Sequence, residues 1–102
     1  MGMAALAWAK RQDEARDGQR LKIFLPVLLR WAGQEERAHL LDLSSTGARM
    51  HARIAPSTKE IIEIVWEGRI FAGQCVWSRG SRFGIAFKAP IDKGQIVSML
   101  TA

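Results

Sequence analysis

From Leu21 onward the apolar residues of this chain recur at every second position, and that period limits its fold more than any other feature. Leu21, Ile23, Leu25, Val27, Leu29 and Trp31 fall on one side; Lys22, Phe24, Pro26, Leu28 and Arg30 fall on the other. Successive side chains of a strand point to opposite faces, so the pattern predicts a half-buried strand. Pro26 cannot donate to a ladder and predicts an edge position or a bulge within it.

The same alternation resumes after each turn signal. A turn over 32–35 leads to a second expected strand, Arg37 to Ser44, and Ser45-Thr46-Gly47 reads as a tight turn. A third strand is expected from Ala48 to Ile54, with Ala48, Met50, Ala52 and Ile54 inward and Arg49, His51 and Arg53 outward. Pro56-Ser57-Thr58 breaks the chain before a fourth strand, Glu60 to Trp66, and Glu67-Gly68 reads as a hairpin turn. The fifth strand is expected over Arg69 to Ser78 and the sixth over Arg82 to Ala89, with Phe83, Ile85 and Phe87 on one face. Asp92 and Gln95 match an N-cap and N3 pair, which predicts a short helix from Asp92 to Leu100. Six short strands separated by turn signals predict an all-β fold, a six-stranded antiparallel barrel over residues 20–102. Residues 1–19 read as a flexible or partly helical arm, because 3–19 carry no β-branched residue and a short isolated helix is marginal in water.

Composition removes several classes of function. No apolar run approaches the roughly 20 residues that cross a bilayer, and MGMAALAWA lacks a basic leader, so a cytoplasmic protein is expected. The single cysteine, Cys75, excludes an internal disulfide and reads as a small buried hydrophobe. With two histidines beside it, a zinc site is not expected, and neither is any other cofactor. Fifteen Lys and Arg against ten Asp and Glu give a net charge of +5, which favours anionic partners without choosing among them.

Catalysis is not expected either. The chain has no GxSxG, HExxH, GxxxxGK(S/T) or GxGxxG pattern. Asp42, Ser44 and His51 are close in sequence, but Asp42 and Ser44 share one extended segment and nothing nearby supplies an oxyanion hole. Glu60, Glu63 and Glu67 read as a solvated strand face.

Two short motifs carry more information together than apart. RDGQR places Arg16 and Arg20 in an RxxxR pattern, and DLSSTG places Asp42, Ser44 and Gly47 in a (D/N)xSxxG pattern. Taken singly, the first suits a solvated helical face and the second an ordinary Ser-stabilised turn. Their residue types also suit a nucleotide. An arginine fork can bind guanine O6 and N7, pair with phosphate, or stack on a purine plane. A carboxylate accepts from the N1 and N2 donor edge of guanine, and a serine hydroxyl can donate to phosphate or fix a turn. Gly47 is expected to permit a positive φ and close approach of a ligand to the backbone.

Both motifs, in this order on this strand pattern, resemble the PilZ domain family of bacterial cyclic di-GMP receptors. The resemblance runs over about 16–100 and includes GQCVW and RFGIAF, which look like the closing strands of that family. It implies that Arg16 and Arg20, on the arm, fold over cyclic di-GMP and contact guanine and phosphate. Asp42 and Ser44, on the barrel wall, would hold its other side, and Gly47 would shape the turn. Trp77 matches a position where some relatives carry an aromatic near the ligand, although a core Trp is the other reading. Arg49 and Arg53 would add positive potential. Ala15 stands where relatives often have Arg or a bulky apolar residue, so one ligand and a stacked pair both stay open. The implied role is a second-messenger receptor that orders its arm and signals to a protein partner in motility, pili, biofilm or exopolysaccharide control. A ligand-independent adaptor and a basic nucleic-acid-binding barrel are the alternatives; the absence of Tyr argues against the latter.

Overall fold

A computed structural model describes residues 20–102. Six strands, β1 (Leu21–Trp31), β2 (Gln34–Leu43), β3 (Gly47–Ala52), β4 (Ile61–Trp66), β5 (Arg69–Arg79) and β6 (Arg82–Phe87), precede a helix, α1 (Lys93–Leu100). They close into the antiparallel barrel that the alternation predicts, and the strand order is β1-β2-β3-β6-β5-β4. Closure removes the free edges that six short strands would otherwise expose.

The hairpin turns explain the tightest connections. Trp31 pairs with Gln34 and Trp66 with Arg69, so Ala32-Gly33 and Glu67-Gly68 are two-residue loops. All four loop residues have positive φ, the condition of a type I′ turn, whose twist matches that of the flanking strands. The first turn is tighter than the expected 32–35, and β2 accordingly starts at Gln34, before the expected Arg37. Pro26 pairs with His39 of β2, while pairing with β4 covers only Leu28 to Arg30. The missing amide therefore falls where β1 has only one ladder partner.

The inward residues make one core that includes Leu29, Leu40, Met50, Ile64, Phe83 and Ile85. Ile54 does not join it. β3 ends at Ala52 and Ile54 is 42% exposed, because the period-two rule stops where the pairing stops. β6 likewise ends at Phe87, before the expected Ala89, and β5 runs one residue further, to Arg79.

Asp92 is the N-cap of α1, and its Oδ1 accepts from the Gln95 amide at 2.8 Å. Ile91 before the cap and Ile96 in the first turn both lie against the core, the arrangement of a hydrophobic staple. Met99 buries the far end of the helix.

Three bulges interrupt the alternation. They lie between Lys22 and Leu25 against β2, between Leu40 and Asp42 against β3, and between Cys75 and Trp77 against β6. Each extra residue changes which face the following side chains occupy. Leu40 and Leu43 are both core residues, and Leu41 absorbs the difference between them.

Candidate functional site

The bulge at Leu41 sets the site. Without it Asp42 would share the inward face of Leu40; with it, Asp42 pairs with Arg49 on the outside of the barrel. The pairing then continues sideways: Lys22 opposite Asp42, Asp42 opposite Arg49, Arg49 opposite Gly84, and Gly84 opposite Trp77. One lateral row on the outer wall thus joins five strands.

Asp42 is only 7% exposed although it faces outward, because two arginines cover it. Arg49 Nε donates to Asp42 Oδ2 at 3.0 Å, and Arg20 Nε stands 3.5 Å from Oδ1. The first contact is a charge-assisted hydrogen bond; the second is an ion pair too long to be one. Oδ1 is buried and accepts no hydrogen bond from the described residues. A buried carboxylate oxygen in this state retains unused acceptor capacity, held in place by positive charge alone.

Ser44 is built into the turn. It is buried, its Oγ accepts from the amides of Thr46 at 3.3 Å and Gly47 at 3.2 Å, and its hydroxyl reaches the Gly47 carbonyl at 3.3 Å. Its own amide donates to the same carbonyl at 2.9 Å. Of the two roles open to this hydroxyl in the sequence, fixing the turn is the one it performs here. The turn is anchored in addition to the end of the chain, since Phe87 and Ile91 donate their amides to Thr46 and Ser45. Gly47 departs from expectation: the described glycines with positive φ are Gly33, Gly68 and Gly80. Gly47 starts β3 in buried, paired backbone opposite Ala86, so strand geometry rather than a left-handed turn governs it.

Trp77 is not a core residue. The bulge at Val76 places it on the outer wall, half-buried, flat against Gly84. A Cβ on Gly84 would lie 2.0 Å from Trp77 Nε1 and 2.6 Å from Cδ1, so only glycine lets the indole settle there. The indole therefore takes the space beside Arg49 that any other side chain at 84 would fill. Arg53 lies off this row and pairs with Glu36 at 3.2 Å.

The structure thus brings together Arg20, Asp42 and Arg49, with Trp77 in the same row and Ser44 and Gly47 building the adjoining turn. Arg16 lies outside the described residues. Sequence reasoning missed Lys22 and Gly84. The register needed to find them depends on bulges that leave no local mark in composition. A groove of about 500 Å³ beside Pro26, Leu28, His39 and Val65 includes none of the site residues.

Inside the wall, Cys75 is buried and its S–H reaches the Trp77 carbonyl at 3.2 Å. Burial pushes its thiol pKa up to about 11, and the charge of Glu60 adds to the effect. Such a thiol is a packing group rather than a nucleophile. No group of His, Cys, Asp and Glu among the described residues is arranged to hold a metal ion.

A small closed barrel with a charged, aromatic-flanked row on its outer wall offers a surface on which an anionic ligand can be held. The PilZ domain model matches residues 11–102, nearly the whole chain, and the chain belongs to the PilZ domain family. PilZ domains are binding and adaptor domains whose family function is recognition of cyclic di-GMP. Among curated proteins, none matches this chain. No described helix is long and apolar enough to cross a membrane.

Proposed function

We propose that this chain is a cytoplasmic cyclic di-GMP receptor that binds its ligand on the outer barrel wall and passes the event to a partner protein. The observation that carries this reading is Asp42, pinned between Arg20 and Arg49 with Oδ1 short of a hydrogen bond. The donor edge of guanine supplies the hydrogens that this oxygen lacks. Oδ1 is covered, so a base reaches it only if Arg20 shifts. Arg20 stands 3.5 Å from it as an ion-pair partner, and the donor edge of guanine can take that place with direct hydrogen bonds.

Binding then proceeds by exchange. Guanine replaces Arg20 at Oδ1, and the freed guanidinium joins Arg16 on guanine and phosphate. Arg49 keeps its grip on Oδ2 and adds charge toward the phosphates, while Trp77 offers an indole beside it. Ordering of the arm is driven by contacts made only in the bound state, as any ligand-driven shift requires.

A thermal-shift and calorimetric titration with cyclic di-GMP beside GTP and linear pGpG tests the reading. Stabilisation is expected with the cyclic dinucleotide only, with amide shifts over Asp42 to Arg49. No heat and unchanged shifts would refute it.

A further inference from the structure

Next to the Asp42 row, the outer wall carries a second row of different character. His39 pairs with His51, His51 with Arg82, and Arg82 with Arg79, across β2, β3, β6 and β5. No carboxylate stands in this row, and neither Arg79 nor Arg82 has an ion pair among the described residues. Both arginines are exposed. Like charges set directly opposite each other across strands are destabilising, so folding alone gives no reason for Arg79 beside Arg82 beside His51. At one end Phe24 stacks on His39, with ring centroids 4.4 Å apart and planes 13° apart, yet remains 70% exposed.

We propose that this row is the docking surface for an acidic segment of a partner protein, ending in an apolar or aromatic residue that seats on Phe24. Charge complementarity supplies the attraction and the exposed ring supplies an anchor at one end, the two elements that give an interface direction and grip. Three strand spacings make the row about 14 Å long. Asp42 borders it on one side; on the other, the next outward residue of β2 is exposed Arg37, which adds to its positive charge. A single exposed ring at one end of the row suits a short acidic segment with one apolar anchor better than a single-stranded nucleic acid, which stacks successive bases on several rings along its groove.

The stripe is also placed to sense the neighbouring site. Rows two residues apart along a strand are about 7 Å apart, inside the Debye length of about 8 Å at physiological salt. The phosphates of a ligand at Arg49 offset the positive potential that holds the acidic segment. Ligand and partner therefore weaken each other, by the same factor in both directions. This coupling rests on the proposed cyclic di-GMP reading; the docking surface does not.

The test is fluorescence anisotropy of the full chain with a labelled poly-Glu peptide carrying one terminal Trp, with calorimetry of cyclic di-GMP on the same samples. Binding should fall with added salt. The double variant Arg79→Gln/Arg82→Gln, checked to melt no lower than the wild type, should lose about ten-fold or more in peptide affinity. Phe24→Ala should weaken the Trp-ended peptide and leave one without Trp unaffected. Saturating cyclic di-GMP should weaken the peptide roughly five-fold. Wild-type affinity in the double variant would overturn the docking surface. So would an oligonucleotide of equal charge that binds more tightly through the same arginines. Ligand binding with no effect on the peptide would overturn the coupling. No heat with cyclic di-GMP, beside intact arginine-dependent peptide binding, would remove the ligand reading and leave the surface standing.

Discussion

Inside and outside, the same strands obey different rules. The inner face of β3 carries Ala48, Met50 and Ala52, which are buried and belong to the core. Its outer face carries Arg49 and His51, whose neighbours are Asp42, Gly84, His39 and Arg82. The inner residues are interchangeable in kind, since any apolar side chain of the right volume serves a core. The outer ones are not, because each depends on the identity of the residue opposite. Stability and recognition thus lie on opposite sides of one sheet, and substitutions can separate them.

The largest effect should come from the inside. Phe83→Ala removes a fully buried ring and should cost about 3–5 kcal/mol in a denaturant titration. Its outer counterpart, Asp42→Ala, should abolish most cyclic di-GMP binding while costing about 1–2 kcal/mol, since the arginines left behind are partly exposed and can turn to water. Arg20→Ala should act in the same direction. If Asp42→Ala destabilised as much as Phe83→Ala, the division between the faces would fail.

Gly84→Val tests an outer position where packing is tight. The new Cβ overlaps the indole, so Trp77 must leave its place, at a cost of about 2 kcal/mol. A fluorescence change present in this variant and absent in Trp77→Phe/Gly84→Val would identify Trp77 as the residue that moved.

Cys75 gives the inner face a signature in pH. Its ordinary thiol value of 9.0 rises to about 11 on folding, so the folded state holds its proton more tightly than the unfolded chain. The resulting stability is fully present below pH 9 and is lost as the pH rises through about 11. The loss should be on the order of 2 kcal/mol, measured by unfolding at stepped pH, and Cys75→Ala should remove that part of the slope. The smallest effect belongs to the second outer row. Arg82→Gln relieves opposed charges and should stabilise the protein by a few tenths of a kcal/mol at low salt, less at high salt.

Most of the barrel was legible because it rests on local chemistry. The alternation from Leu21, the Glu67-Gly68 turn and the Asp92 cap all report interactions within a few residues. Ile54 was misplaced because alternation says nothing of where a partner strand ends. Gly47 was misjudged because a glycine in a turn-like string need not be the residue with positive φ. The motif residues Arg20, Asp42 and Ser44 could be found from their spacing. Their geometry could not, because the bulges that turn Asp42 and Trp77 outward depend on pairing with distant strands. Arg79 and Arg82 flank a turn and look unremarkable until the register sets them beside His51.

The extra residue at Leu41 has a consequence for how this protein tolerates change. Substituting Leu41 alters one side chain, but deleting it in frame removes the phase step between Leu40 and Asp42. To keep the strand paired, the shortened chain would turn Asp42 toward the core and Leu43 toward water. A gene that loses this single codon would encode the same motif letters in the same order, with their binding face reversed.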